Sequence, residues 1–256
     1  MKNSRNTCGF VLKIAEHGES DKLVTLYSRD VGRMTGIAKG ARKSKQRFVN
    51  KLELFSSLKV LYRPPRVHGG LHVLDDAELL NARLPLRLEY RRYAVAIHLS
   101  ELFLRFTREN DPDAHLYELL RWTLDLLSVD KAPLKIMVFS YLHLLAASGY
   151  RPELDRCGSC RHPITPGRTY TLIAASGSLL CDACQPPQRH VQHRLSVQTL
   201  HILTRAQTMN LERLGRLQLP RHAVIEAMNA LHHYTLHLLQ QDIHSWRINR
   251  LLLDER

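Results

Sequence analysis

No acidic residue interrupts the stretch IAKGARKSKQRF, residues 37–48, where Lys39, Arg42, Lys43, Lys45 and Arg47 place five positive charges in twelve positions. A surface selected for solubility alone mixes signs, so this absence disfavours a merely solvated face. No apolar run approaches the roughly 20 residues needed to cross a bilayer; VFSYLHLLAA, from Val138, is among the longest. The opening MKNSRNTCGF has neither the apolar h-region nor the small-residue cleavage site of a signal peptide, and the expectation is a cytosolic protein. Motifs of the common nucleotide and hydrolase sites are missing too. There is no Gly-x-Ser-x-Gly elbow and no Gly-x-Gly-x-x-Gly, and GRMTGIAKGARKS lacks the Gly-Lys-Ser/Thr ending of a phosphate loop. The acid pair Asp75-Asp76 has no partner acid visible in the sequence and reads as a solvated turn. With no catalytic constellation in view, the expectation is a protein without enzymatic turnover.

What is present is length, apolar content and positive charge. The chain has 256 residues, 44% of them hydrophobic, with a formal net charge of +13. It can therefore bury a core, and its charge points to nucleic acid or an anionic membrane surface as partner. The charge is uneven. Residues 1–80 hold 15 Lys/Arg against 8 Asp/Glu, residues 81–150 hold 9 against 8, and residues 151–256 hold 13 against 8. Between Lys39 and Arg66 nine bases meet one acid, Glu53.

The first eighty residues alternate in the manner of strands: CGFVLKIAEH, KLVTLYS, RMTGIAKG, LELFSSLKVLYR and LHVLDDAEL, separated by HGESD, RDVG and PPRVHGG turns. Five short strands with basic connections suit a small closed barrel, an OB-fold first and an SH3-like barrel second. From Leu88 the period becomes helical. LEYRRYAVAIHLSELFLRFT is one helix, and Asp111-Pro112 is expected to open a second through LYELLRWTLDLLS. A third, from about Ala132, should stop at Gly149, with Pro152 barring continuation. SVQTLHILTRAQ, capped by Ser196, and PRHAVIEAMNALHHYTLHLLQQ, with Pro220 in its first turn, supply two more. The fold class expected is α+β: a five-stranded OB barrel over 1–80, helices over 81–150, a cysteine element over 151–190 inserted in the helical part, and its C-terminal portion over 191–256.

CGSC at 157–160 and CDAC at 181–184 are two Cys-x2-Cys pairs across a twenty-residue spacer. Two residues between cysteines let both thiolates reach one tetrahedral ion, and a spacer with turns at PITPGR and AASGS can fold back as a hairpin. Cys157, Cys160, Cys181 and Cys184 are thus expected to hold one structural Zn²⁺. No position is left for a catalytic water, and a redox dithiol is disfavoured because neither pair lies in a βαβ pattern. The fifth cysteine, Cys8, is read as core of the first strand. His232, His233, His237 and His244 crowd one helix, with His233 and His237 at i, i+4, but no Glu-x-x-His frame surrounds them and they are read as surface or interface histidines. The cationic run is read as a phosphate-backbone site, with Phe48, Phe55 and Tyr62 as either stacking platforms or core.

Two segments carry a family resemblance. GFVLKIAEHGESDKLVTLYSRDVGRMTGIAKGARKSK resembles the opening of the bacterial RecO recombination mediators, with its Gly-Glu-Ser-Asp turn and Lys-Gly-Ala-Arg-Lys segment. FSYLHLLAASGYRPELDRCGSC is similar to the same family where a helix ends in Gly-Tyr-x-Pro before the first cysteine pair. One departure is Leu52-Glu53-Leu54-Phe55, where the pattern has proline before the phenylalanine. The resemblance implies an N-terminal OB-fold, a helical domain with a zinc-bearing element, and no turnover. It implies binding of single- and double-stranded DNA, annealing of complementary strands, and partnership with RecR in loading RecA onto strands coated by single-strand-binding protein, whose acidic C-terminal tail docks on the helical region. Lys39, Arg42, Lys43, Lys45 and Arg47 are the implied DNA contacts. A zinc-containing RNA-binding or transcription-associated factor is the alternative, and a nuclease would need acids near the basic surface, where only Glu53 is close in sequence.

Overall fold

Strand alternation, turn chemistry and helix caps assemble, in a computed structural model that describes residues 4–67, 69–185 and 193–254, into a barrel, helices and a small second sheet. Five strands form the barrel: β1 (Arg5–His17), β2 (Asp21–Ser28), β3 (Gly32–Ala38), β4 (Ser57–Arg63) and β5 (His72–Asn81). They close in the order β1-β2-β3-β5-β4, with β1 and β4 antiparallel at the seam and β3 and β5 parallel. A sequential meander would pair β3 with β4. The exchange of β4 and β5 gives the Greek-key, OB-like closure expected first, and removes the SH3-like option.

Val11, Val24, Leu26, Met34, Leu58, Val60 and Leu74 fill the barrel, each at most 1% exposed. β3 shows strict alternation of buried and half-buried positions, whereas β1 buries Gly9 through Leu12 without a break. A register shift between Val11 and Lys13 explains the difference, since a bulge turns successive residues to one face. Cys8 corrects the core expectation: it lies opposite Lys59 on the outward side and is half-buried.

The fourth strand begins later than the pattern predicts. Leu52–Ser56 is a turn, closed by Ser56 N–H donating to Glu53 O at 3.2 Å, and Phe55 sits at φ 68°. Its ring, fully buried, meets Tyr93 edge-on at 5.8 Å, so packing of one aromatic outweighs the local strand preference. The turn PPRVHGG does join β4 to β5, although His68 within it lies outside the described residues.

The chain forms two units, one ending at Val129 and one starting at Asp130. In the first, α1 (Leu84–Leu88), α2 (Tyr90–Phe106) and α3 (Ala114–Val129) follow the barrel. The Glu89 carboxylate caps α2, accepting from the Arg91 and Arg92 N–H groups. The cap of α3 is Asp113, which accepts from His115 N–H at 2.7 Å and Leu116 N–H at 3.0 Å, rather than the expected Asp111. The reason is tertiary: Asn110 N–H donates to Arg33 O at 2.8 Å, so the chain stays tied to β3 before the helix can start.

The second unit comprises α4 (Pro133–Ala147), the strands β6 (Glu153–Cys157), β7 (Tyr170–Ile173), β8 (Ser178–Cys181) and β9 (Arg194–Leu195), then α5 (Val197–Thr208), α6 (Leu211–Leu214), α7 (Arg221–Leu239) and α8 (Trp246–Asp254). Gly149 takes φ +84° just after α4, as a helix-terminating glycine does, and Ser196 caps α5 by accepting from Thr199 N–H. Pro220 is the residue before α7 rather than within its first turn. The strands make one sheet, ordered β6-β8-β7-β9. The boundary expected at 190/191 lies outside the described residues. Among the described residues no helix is long and apolar enough to cross a membrane.

Candidate functional site

The cationic run leaves β3 at Ala38 and is pinned at both ends. Ala41 and Phe48 are buried in the barrel core, and burying a phenylalanine side chain stabilises by about 1.5–3 kcal/mol. Around them the backbone is fixed by hydrogen bonds. Gly40 N–H donates to Asp21 Oδ1 at 2.8 Å, Arg42 N–H to Ser20 O at 2.9 Å, and Phe48 N–H to the Ser44 hydroxyl at 3.1 Å. Gly40 is required by the turn itself, at φ +66°, and its N–H is committed to Asp21 rather than open to a phosphate. That N–H holds the Asp21 carboxyl below its ordinary range, with the Ser20 hydroxyl and nearby Lys39 acting in the same direction.

From this anchored turn all five cations project into solvent: Lys39, Arg42, Lys43, Lys45 and Arg47 are each exposed. They are not equally available. Arg42 is ion-paired to Glu16 at 3.3 Å. Arg47 donates to Asp75 O at 3.2 Å and Lys39 O at 3.3 Å, with its guanidinium 5.2 Å from the Phe48 ring centre. The aromatics are core, not platforms: Phe48, Phe55 and Tyr62 are at most 4% exposed. The acids around the run are already engaged. Asp75 takes a two-pronged bond from Arg63 at 2.8 and 2.9 Å, and Glu53 pairs with Arg87 at 3.4 Å.

The cysteines converge as their spacing predicts. Cys157 ends β6, Cys160 lies in the turn after it, Cys181 ends β8, and Cys184 sits in the single 3-10 turn that follows. β7 and β8 form the expected hairpin, with Leu172 opposite Leu179, so the spacer brings the second pair back over the first. All four sulfurs lie within 4.8 Å of one another, and Cys160 Sγ is 3.8 Å from Cys181 Sγ. Tetrahedral thiolates at a metal–sulfur bond of about 2.3 Å stand about 3.8 Å apart, so the set is close enough to ligate one ion. Burial pushes the Cys157 thiol up, but N–H donors of Cys181, Cys160 and Ser159 outweigh it and bring it down to about 6. Arg168, which carried no signal in the sequence, donates to Cys181 Sγ at 3.5 Å and stands 3.7 Å from Asp182.

The histidines do not form a cluster of metal ligands among the described residues. His232 stacks on Trp246, rings 3.9 Å apart and 11° from parallel, while His233 and His237 are exposed. Burial holds His232 at about 4, with His193 and His233 adding to the shift and Asp242 opposing it.

Comparison with known proteins agrees with this geometry. Residues 1–83 match the family model described as Recombination protein O N terminal, and residues 87–247 match Recombination protein O C terminal. The chain is 35% identical over 218 residues to the DNA repair protein RecO of Syntrophobacter fumaroxidans, covering 85% of each chain. It is 31% identical over 246 residues to that of Syntrophus aciditrophicus, covering 96% of this chain and 95% of the relative. With the Myxococcus xanthus protein of the same name it shares 35% over 175 residues, 68% of this chain and 70% of the other. A five-stranded barrel, a helical part bearing four converging cysteines, and family matches to both halves together establish that this chain belongs to the RecO family.

Proposed function

We infer that this chain is a non-catalytic recombination mediator in DNA repair, binding single- and double-stranded DNA through the barrel and annealing complementary strands. One observation carries the reading: five exposed cations radiate from a single hydrogen-bonded turn of an OB-like barrel whose aromatics are all buried. Such a surface grips phosphates and cannot read bases by stacking along the run, which suits sequence-independent binding. Engagement of Glu16, Asp21, Asp75 and Glu53 by basic or backbone groups supports a surface without a metal-dependent nuclease centre.

The four cysteines hold a structural Zn²⁺ in this reading, since an all-thiolate tetrahedral set suits zinc and leaves no open position for chemistry. Zinc would staple the ends of β6 and β8, and Arg168 would offset part of the thiolate charge. The helices of the second unit dock the acidic C-terminal tail of single-strand-binding protein, and RecR completes the assembly that loads recombinase in the bacterial cytoplasm. The test is the salt dependence of DNA affinity. Lys43→Ala with Lys45→Ala should weaken binding to all sequences alike and lower the slope of log K against log salt by roughly 0.7 per lost contact on a single strand and 0.9 on a duplex. Unchanged affinity and slope would reduce the run to a solvated face. A preference for RNA over DNA in competition would favour an RNA-binding factor.

A further inference from the structure

Where the barrel passes into its first helices, leucines stand in water. Twelve large apolar side chains are exposed among the described residues, and five of them fall within Leu79–Tyr90. They are Leu79, Leu80, Leu84, Leu88 and Tyr90, running from 37% exposed at Leu79 to 81% at Leu88. A single exposed leucine is ordinary, but a concentration of them marks an interface. Local geometry builds this one. Leu58 pairs with Leu79 and Ser57 with Asn81, so Leu80 is an extra residue, and the bulge leaves both leucines exposed. The short helix α1 sends Leu86 into the core and leaves Leu84 and Leu88, four residues apart on another face, in solvent. Arg83 N–H donates to Asn81 Oδ1 at 2.9 Å and the Arg87 guanidinium to Ala82 O at 3.3 Å, which holds the helix against the end of the strand.

The charges flanking these side chains are sorted by sign. Asp76 and Glu78, both exposed, precede the leucines on β5, whereas Arg87, Arg91 and Arg92 lie at the other end of the segment. The acid at that end, Glu89, is taken up in capping α2 and in a 3.6 Å pair with Arg92. A polyanion is disfavoured as occupant, since it would meet Asp76 and Glu78. An apolar middle with ends of opposite sign is instead complementary to a copy of itself related by a two-fold axis, where each acidic end meets a basic one. We propose that Leu79–Tyr90 is a homodimer interface, in which two copies of this surface pack about a two-fold axis with Glu78 of one copy against Arg91 of the other. Five large side chains per copy fall short of the roughly 20–30 residues a side of a standard interface, so the dimer is weak and reversible. Such a dimer carries two cationic runs on one particle.

The experiment is sedimentation velocity of the whole protein without DNA, from low to high micromolar concentration. Wild type should show a reversible monomer–dimer equilibrium. Leu84→Ser with Leu88→Ser, both at exposed positions, should weaken it by roughly tenfold or more, the scale of losing one well-packed interface side chain. Glu78→Arg and Arg91→Glu should each fail to self-associate, because like charges then face one another twice across the axis. An equimolar mixture of these two variants should dimerise as wild type does, since every contact is again between opposite charges. That recovery separates a two-fold interface from non-specific clumping of leucines. A protein that stays monomeric throughout would overturn the proposal, and so would a dimer indifferent to the leucine changes. A mixture of the charge variants that stays monomeric would overturn it as well. Monomers that bind anionic vesicles through the same leucines would overturn it in favour of a membrane surface.

Discussion

The cationic run and the cysteine centre are both small sets of side chains on turns, but they are built on different logic. The cysteines are convergent: four sulfurs from two separated segments point at one volume within 4.8 Å. The cations are divergent, fanning outward from a turn pinned by Ala41, Phe48 and the Asp21 carboxylate. A convergent set is made for a point-like ligand and shares its fate cooperatively. A divergent set is made for an extended polyanion and loses its contribution one contact at a time.

The largest expected effect breaks the cysteine centre without touching the cationic run. Cys181→Ser, or prolonged chelation, should abolish bound zinc and unfold the β6–β8 sheet, because structural zinc in small domains contributes on the order of 10–16 kcal/mol of apparent binding energy. Metal content with limited proteolysis checks it, and about one zinc per chain is expected in untreated wild type. The salt slope of DNA binding should stay at its wild-type value. If Cys181→Ser flattens that slope as much as the lysine changes do, the two regions are not independent and the contrast fails. Arg168→Met should act in the same direction but more weakly, speeding zinc transfer to a chromophoric chelator, since it removes a donor to Cys181 Sγ.

The two regions were also legible to different degrees. Cys-x2-Cys twice, with turns between, encodes local geometry, and the hairpin at Tyr170–Cys181 follows from it directly. Charge clustering encodes a partner class but no geometry. It placed Lys39 to Arg47 on the surface and could not foresee that Glu16, distant in sequence, would take Arg42, or that Arg47 would fold onto backbone carbonyls. The barrel strands were readable from alternation except where tertiary contacts overrode it: the bulge in β1, the Phe55 turn before β4, and the tie from Asn110 to β3 that moved the α3 cap to Asp113.

A smaller effect appears with pH. The pKa of His232, on α7, falls from 6.5 to about 4 because burial disfavours the cation. The unfolded chain therefore takes up a proton that the folded unit refuses, and stability present in full above pH 6.5 declines as pH falls towards 4. Thermal melts of zinc-saturated protein should show a decline of several degrees over that window. His232→Phe, which keeps a ring against Trp246, should make the melt flatter with pH than wild type. Equal slopes for the two proteins would show that the imidazole does not carry the dependence.

The smallest effect distinguishes members of the run from one another. Lys43 and Lys45 are compact charges on flexible stems at exposed positions, while Arg42 is paired to Glu16, with 43% and 71% of the two side chains exposed. An exposed pair of this kind is worth at most about 1 kcal/mol, so a phosphate can displace Glu16, but only at that cost. Arg42→Ala should accordingly weaken DNA binding less than Lys43→Ala does. Glu16→Gln should strengthen it, by up to about fivefold, the ratio that corresponds to about 1 kcal/mol. The gain should shrink at high salt, where screening has already loosened the pair. Anisotropy titrations of the three variants against one oligonucleotide at two salt concentrations decide the order. If Arg42→Ala costs more than Lys43→Ala and Glu16→Gln leaves affinity unchanged, the ion pair aims the guanidinium at DNA instead of competing for it, and the run has one convergent member after all.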